Sequence, residues 1–224
     1  MKRKDLARRA ASAAMAACMM FTLSAPALAE STDALMQLSI GSYRSSSLLS
    51  EENRFPDITV NGTKVTEDNK DDILGGQNVR KLSYDAATNT LRANETIHGN
   101  LTIDATGVNI ELHNTSSNPV IYGKLTVTNA ASVKATSKYN LAVVGAVEIS
   151  CDGEVEITSG ESYAVTNNVT VKQASKVAIS GKSDTNHIVT GDVTIACPVP
   201  VTIRNNGTGG MARSINYSGG KYVY

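Results

Sequence analysis

A short phrase of alternating apolar and polar residues recurs along this chain at nearly constant spacing. The phrase reads GNLTI, GKLTV, GAVEI, NNVTV and GDVTI. Its first apolar residues are Leu101, Leu125, Val147, Val169 and Val193, which lie 24, 22, 22 and 24 residues apart. Self-similarity at such a period is typical of solenoids, because one repeat cannot bury its apolar face without its neighbours.

Each repeat contains three apolar segments, which predicts three strands per coil. The phrase itself alternates with a period of two. A second apolar pair follows, as at Val155 and Ile157, and a third run, as in AVV at 142–144, closes the unit. We therefore predict an all-β, right-handed parallel β-helix with three strands per coil of about 22–24 residues, the hand following from the rule for parallel crossovers. An antiparallel sandwich of short strands is the alternative.

A glycine or asparagine opens each phrase, two positions before its first apolar residue. These opening residues are Gly99, Gly123, Gly145, Asn167 and Gly191. Gly and Asn tolerate a left-handed backbone best, so the pattern predicts a left-handed corner residue in every coil.

The N-terminal region predicts export of the chain. Basic residues followed by an apolar run and by Ala27-Leu28-Ala29 are typical of a signal peptide over residues 1–29, cleaved before Glu30. An N-terminal membrane anchor and, less favoured, a lipoprotein signal at Cys18 are the alternatives. No second apolar segment is long enough to span a bilayer, so we expect a secreted, extracellular protein, either free or associated with the cell surface.

Three further regions follow the signal peptide. Residues 30–56 carry no period and predict a leader or linker, and residues 101–224 form the β-helix repeats. Between them, residues 57–100 predict a cap that covers one end of the solenoid, because an uncovered coil presents open strand edges. Within this cap, Asn61-Gly62 indicates a hairpin, Thr66 can begin a short helix that ends at Gly75-Gly76, and LSYDAATNTL indicates two short strands around a turn.

The cap and the repeats together resemble a known group of proteins. The segment ITVNGTKVTEDNKDDILGG, followed by SYDAATNTL and then β-repeats, is similar to the repeat-bearing extracellular proteins of Gram-positive gut bacteria that are labelled carbohydrate-binding-domain-containing. The resemblance covers most of residues 57–205. It implies a bacterial source and a carbohydrate partner, and its motif is a family marker rather than a catalytic signature.

The two cysteines that follow the signal peptide predict free thiols. A secreted chain would ordinarily pair them. Cys151 and Cys197, however, both lie four residues after the first apolar residue of their phrases. Gln173 has the same offset in the coil between them. Two coil steps of about 4.8 Å separate their Cα atoms by about 10 Å, beyond the reach of about 7 Å for a disulfide. We therefore expect both thiols to be free and mostly buried.

Acidic and histidine side chains do not converge in the predicted coils. The carboxylates at different coil offsets are Asp104, Asp152, Asp184 and Asp192, and the histidines at different offsets are His98, His113 and His187. We therefore predict no catalytic residues, no metal site and no cofactor; a polysaccharide lyase or hydrolase is the enzymatic alternative.

The chain has 21 basic and 21 acidic residues, and no basic stripe points to nucleic acid.

Two outward features could carry binding. One is a column of Thr102, Thr126, Glu148, Thr170 and Thr194, which fits either an ice-binding array or a simple β-propensity choice. The other is the third strand, whose two alternating rows are both apolar: Ile121, Val143, Val165 and Val189 in one, and Val120, Ala142, Ala164 and Ile188 with Tyr122 and Val144 in the other.

An exposed apolar stripe of this kind marks an interface, unless the leader at 30–56 covers it. The candidate ligand or partner surface is therefore Tyr122, Val144, Tyr139 and Tyr163. We expect a non-enzymatic binding or adhesion module whose partner is a glycan or a surface protein. The sequence leaves its oligomeric state open.

Overall fold

A computed structural model describes residues 55–76 and 82–219 of this chain. All the described residues belong to one compact unit. The predicted signal peptide and nearly all of the predicted leader lie outside the described residues.

The described residues form three sheets, whose strands are numbered in chain order. The first contains β1 (Ile58–Val60), β2 (Thr63–Lys64), β6 (Leu101–Ala105), β9 (Leu125–Ala130), β12 (Val147–Cys151), β14 (Val169–Gln173), β16 (Val189–Ile195) and β18 (Ala212–Tyr217). The second contains β3 (Ser83–Asp85), β4 (Thr90–Ala93), β7 (Asn109–Asn114), β10 (Ser132–Ser137), β13 (Glu154–Ser159), β15 (Lys176–Gly181) and β17 (Val201–Asn205). The third contains β5 (Ile97–His98), β8 (Ile121–Tyr122) and β11 (Val143–Val144).

The strands of successive coils pair in parallel and in the register that the repeated phrase predicts. Leu101 pairs with Leu125, and the same column continues through Val147, Val169 and Val193. The third sheet continues by single bridges from Val143 to Val165 and from Val165 to Val189. The prediction of an all-β parallel solenoid with three strands per coil is confirmed, and the antiparallel sandwich is wrong for the repeats.

The core of the solenoid is aliphatic. Inward positions such as Ile103, Ile149 and Val171 are fully buried, and they belong to one continuous cluster of Val, Ile, Leu and Ala side chains. The sequence has no Trp and only two Phe. Each coil therefore fills its interior with side chains of similar size, which lets one coil stack directly on the next.

The described part of the cap consists of antiparallel strands. The hairpin predicted around Asn61-Gly62 is confirmed, since β1 pairs with β2, and both turn residues have positive φ. The strand β1 also pairs antiparallel with β6, the first strand of the repeats in the first sheet. The second predicted strand pair is confirmed as β3 and β4. The strands β1 and β3 therefore supply backbone hydrogen bonds to the outer edge of the first coil, at β6 and β4.

The short helix predicted after Thr66 is wrong, because the described residues form a run of turns there. The side chain of Asn69 accepts a hydrogen bond from Thr66 N and donates one to Lys64 O. Two further backbone bonds join the segment to the neighbouring strand region, from Ile73 N to the carbonyl of Leu82 and from Tyr84 N to that of Lys70. A segment this short cannot offset the cost of helix nucleation when its polar groups have such partners.

Three of the corner glycines, Gly123, Gly145 and Gly191, lie against the preceding coil so closely that a Cβ atom would clash with it. Gly99, by contrast, has open space and only a left-handed backbone. Gly99 and Gly145 have φ of +90° and +142°. Asn167 and Gly191 lie outside the positive-φ set, so the left-handed prediction is wrong for them. A Cβ atom on Gly145 would lie 2.5 Å from the carbonyl oxygen of Gly123 in the preceding coil. The small residue therefore allows two backbones to approach each other.

Replacing Gly145 by alanine should destabilise the solenoid. The new Cβ meets backbone that cannot move without shifting a coil, so we expect a loss of about 1–3 kcal/mol from overpacking, in addition to backbone strain. Gly107→Ala is the control, because Gly107 has φ +70° but no atom within 4 Å of the added Cβ. Thermal unfolding should show the larger fall in Tm for Gly145→Ala, and equal falls would contradict this account of the corner.

The outward threonine column predicted from the sequence is present, and Glu148 joins its coils by ion pairs. Thr102, Thr126, Glu148, Thr170 and Thr194 lie in register on the first sheet. Lys124 Nζ lies 2.8 Å from one oxygen of Glu148, and Lys172 Nζ lies 2.6 Å from the other. Hydrogen bonds from Lys124 and then Lys172 lower the pKa of Glu148 to about 2. Glu148, which interrupts the threonine column, therefore connects three successive coils through its ion pairs with Lys124 and Lys172.

The contribution of Glu148 to stability should be lost in acid. The pKa of a glutamate in an unfolded chain is about 4.3, above the folded value, so the stabilisation is fully present above that pH and disappears as pH falls towards 2. Glu148→Gln should therefore lower Tm at pH 7, and its difference from the parent protein should close between about pH 4 and pH 2. Glu161→Gln, which breaks only one pair with Lys182, should have a smaller effect; a Glu148→Gln difference independent of pH would contradict the account.

Candidate functional site

The two apolar rows of the third strand are not an exposed stripe. Eight of their ten members are fully buried: Val120 and Ile121, Ala142 and Val143, Ala164 and Val165, and Ile188 and Val189; Tyr122 and Val144 are the two exceptions. The prediction that one row points outward holds for Tyr122 and Val144 and is wrong for the other members, because the strands β5, β8 and β11 are only two residues long. Strict alternation does not hold over a strand that bends into a corner at both ends, and both residues pack against the core.

The outward column of the third sheet begins with a stacked pair of rings. The rings of His98 and Tyr122 lie with centroids 5.4 Å apart and planes 4° from parallel. Tyr122 pairs in register with His98 on one side and with Val144 on the other, and Tyr122 is 44% exposed. Two of the predicted surface residues, Tyr122 and Val144, are thus adjacent.

A polar cleft of about 410 Å³ lies beside this pair, at the corner between the second and third strands. Its lining is almost entirely amide, hydroxyl, imidazole and carboxyl side chains: Asn94, Glu95, Thr96, His98, Asn114, Thr115, Ser116 and Asn118. The residues come from two successive coils, 94–98 from one and 114–118 from the next. Parallel stacking therefore places them together, although about twenty residues separate them in the chain.

Buried hydrogen bonds hold the floor of the cleft in place. Asn114 Nδ2 donates to Thr96 Oγ1 at 2.8 Å and to the carbonyl oxygen of Pro119 at 3.0 Å. The Oδ1 atom of Asn114 accepts from Ser116 N at 2.7 Å, and Thr96 Oγ1 donates to Pro119 O at 2.7 Å. A satisfied buried network of this kind is rigid, so the cleft is formed before any ligand arrives.

Sequence reasoning missed this corner. The polar residue that turns the chain is buried in successive coils, as Asn114, Ser137 and Ser159, which pair in register. Asn205 repeats the bonds of Asn114, since its Oδ1 accepts from Gly207 N and its Nδ2 donates to Gly210 O. A recurring Asn or Ser at the end of the second strand was the available signal, but a polar residue at a turn does not by itself predict burial.

The other two predicted surface tyrosines lie at the same corner in later coils. Tyr139 is 50% exposed, and Lys138 Nζ lies 4.6 Å from the centre of its ring. The hydroxyl of the half-buried Tyr163 accepts a hydrogen bond of 3.0 Å from Asn186 Nδ2. Neither residue lines the cleft. The structure therefore brings Tyr122 and Val144 together and leaves Tyr139 and Tyr163 farther along the corner.

The carboxylates that the sequence placed at different offsets each have a local partner. Asp104 accepts from Asn129, Asp152 accepts from Gln173, and Asp184 accepts from Thr208 N. Asp192 binds Arg213 through two hydrogen bonds and also accepts from Ser214. These bonds, with that of Arg213 the largest, lower the pKa of Asp192 to about 2. Among residues 55–76 and 82–219, no three acidic, histidine or cysteine side chains are grouped to hold a metal ion.

The two cysteines are free and buried, as predicted. The register of the intervening coil differs from the prediction, however. Ser150 pairs with Gln173 across a bulge, so Gln173 turns outward and Ala174, which is 8% exposed, follows it in the buried position. Burial raises the pKa of Cys151 to about 11, and the thiols therefore behave as small core side chains.

Comparison with family models, with curated proteins and with solved structures finds no match for this chain. Within the described ranges, no helix has the length and apolar character needed to cross a membrane.

The buried thiols should resist modification in the folded protein. With a pKa of about 11, Cys151 is about one part in a thousand thiolate at pH 8, and the thiolate is the reactive form. A maleimide should label a protein of residues 30–224 slowly at both Cys151 and Cys197, and rapidly twice per chain in guanidinium without reductant. Rapid labelling of the native protein, or no labelling after unfolding, would contradict the assignment of buried free thiols.

Proposed function

We propose that this protein is a secreted, non-enzymatic binding module that holds a glycan in the polar cleft beside His98 and Tyr122. The observation that carries the proposal is the cleft itself, which presents amide, hydroxyl and imidazole groups and the one carboxyl of Glu95 over a floor fixed by Asn114 and Thr96. Sugars offer many hydroxyl groups and few charges. A preformed site dense in neutral donors and acceptors matches that chemistry and loses little side-chain entropy on binding.

The adjacent ring pair supplies the apolar contact that such a site needs. Stacking on His98 holds Tyr122 in one orientation, and Val144 continues the surface by one coil. A ligand that enters the cleft can pack a C–H face against the exposed part of Tyr122. Rigid aromatic anchors beside adaptable polar groups are the usual elements of a binding surface.

Electrostatics favours binding over catalysis. The two large carboxyl pKa shifts, at Glu148 and Asp192, are downward and arise from exposed cationic partners. A general acid in glycoside hydrolysis needs the opposite, a carboxyl whose pKa is raised. These two carboxylates therefore join coils, and we assign neither of them to chemistry.

A protein partner is the weaker alternative. Large apolar patches mark protein interfaces, and among the described residues the exposed large hydrophobic side chains are Tyr122 and Tyr139. Each has a neighbour over one ring face, His98 and Lys138 respectively. The described surface thus offers single amphipathic rings, which suit a sugar better than a broad protein interface.

Binding should be lost when the cleft is altered and kept when the distant tyrosine is removed. We expect the processed protein to bind one class among immobilised cell-wall, mucin and plant glycans. Tyr122→Ala and Asn118→Ala should each weaken that binding by about tenfold, the effect of losing one good contact. Tyr139→Ala is the matched control, since it removes an equally exposed ring outside the cleft.

Two results would overturn the proposal. One is the lack of saturable binding to any glycan class, with a concentration-dependent dimer in light scattering, which would favour protein contact. The other is glycan binding that depends on Tyr139 but is unaffected by Tyr122→Ala and Asn118→Ala.

A further inference from the structure

We propose that a groove on the outer face of the second sheet binds an oxyanion, and that the bound glycan is therefore an acidic one. The groove, here called the sheet groove, has a volume of about 310 Å³. Its polar lining is Arg92, Asn94, Glu111, His113, Lys134 and Thr136. The inference rests on the proposed function, because Asn94 lines both the sheet groove and the cleft.

The sheet groove lies between two outward columns of neighbouring coils. Arg92 pairs in register with Glu111, and Glu111 pairs with Lys134, so these three long side chains form one wall. His113 pairs with Thr136 in the adjacent outward column and forms the other. The strands β4, β7 and β10 hold both walls, and the site is therefore built on rigid elements.

Two buried polar atoms in this groove have no hydrogen bond. One is Thr136 Oγ1 and the other is Arg92 Nε. Arg92 Nε does lie 3.1 Å from Glu111 Oε2, an ion-pair distance without the alignment of a hydrogen bond. Most buried polar groups in proteins are hydrogen-bonded, so an exception calls for an explanation. Both atoms are closed to solvent in the unliganded protein, but they belong to side chains that line the groove. A ligand that turns these two side chains towards it and accepts a hydrogen bond from each would provide an explanation.

The balance of donors and acceptors identifies the chemistry of that ligand. Arg92 and Lys134 can only donate, and the hydroxyl of Thr136 can donate once its partner arrives. Glu111 is the one carboxylate in the lining. A carboxylate or sulfate offers several acceptor oxygens together with the negative charge that Arg92 and Lys134 favour.

The existing ion pairs do not block such a ligand. Lys134 Nζ lies 3.0 Å from Glu156, and the side chains of that pair are 52% and 38% exposed. Exposed ion pairs contribute little to stability. Lys134 can therefore turn towards a bound oxyanion at small cost, and Arg92 can do so without leaving Glu111.

Continuity with the cleft assigns the oxyanion to a sugar chain. A chain that places one neutral sugar in the cleft can cross Asn94 and place its next acidic substituent in the sheet groove. Each cavity alone is near the small end of the range for ligand sites, about 300–1,000 Å³. An oligosaccharide that occupies both therefore fits better than a single sugar.

The decisive variant is Thr136→Val, which removes the unpaired hydroxyl and keeps the shape of the side chain. The probes are a uronic acid oligomer, the neutral oligomer of the same linkage, inorganic sulfate and an acidic peptide, each titrated by calorimetry. We expect the parent protein to prefer the uronic acid oligomer to the other three. Thr136→Val should weaken that binding by about tenfold, the effect of losing a hydrogen bond to a charged group, without lowering Tm.

Thr158→Val is the matched control. Thr158 lies one coil farther along the same column, outside the sheet groove, and its hydroxyl donates to Glu156 and accepts from Ser180. Removing a hydroxyl that has partners should lower Tm and leave binding unchanged. We therefore expect Thr136→Val to change affinity but not stability, and Thr158→Val to change stability but not affinity.

A second pair of variants tests the charge. Lys134→Ala should weaken binding of the uronic acid oligomer, and the loss should shrink as salt is raised. Lys176→Ala removes a lysine of the same sheet that pairs with Glu154 outside the groove. It should leave affinity unchanged at every salt concentration.

The outcomes separate this inference from the proposed function. Equal binding of neutral and acidic oligomers, unchanged by Thr136→Val, overturns the oxyanion site and leaves the glycan proposal standing. Sulfate binding that depends on Thr136 without binding of either oligomer, or equal binding of the acidic peptide, overturns the assignment to a sugar. No binding of any probe overturns both proposals.

Discussion

Every part of this structure depends on the stacking of like side chains at one coil spacing. An aliphatic residue in one coil covers the same position in the next, so that Leu101, Leu125 and Val147 form a single buried column. No coil could bury this face alone. The cost of stacking is that the backbones must approach closely at the corners, which explains why Gly123 and Gly145 leave no room for a side chain.

The same stacking builds the candidate site. Residues of two coils meet at the corner between the second and third strands, where Asn114 connects Thr96 to the turn that ends at Pro119. Outward residues in register then become neighbours, as His98 and Tyr122 do. The spacing of the coils thus sets the distance between groups that contact a ligand, and rigid strands carry those groups.

The sequence predicts the parallel register of the repeats because the phrase returns with matching side-chain sizes. It predicts less well wherever the chain bends. The third strand is too short for alternation, so Val120 and Ile121 both turn inward. One extra residue, Lys172, shifts the register before Gln173 and places Ala174 in the buried position. The cleft could not be predicted either, since its buried polar floor forms only after the coils stack.

Hydrogen–deuterium exchange of residues 30–224, with and without a saturating glycan, tests the central claim most directly. The account predicts that bound glycan adds protection at 94–98 and 111–118, the segments that line the cleft and the adjacent groove. It predicts no change on the outer face of the first sheet around Thr126 and Glu148. Added protection on that face, or none at 94–98 and 111–118 under saturation, would contradict it.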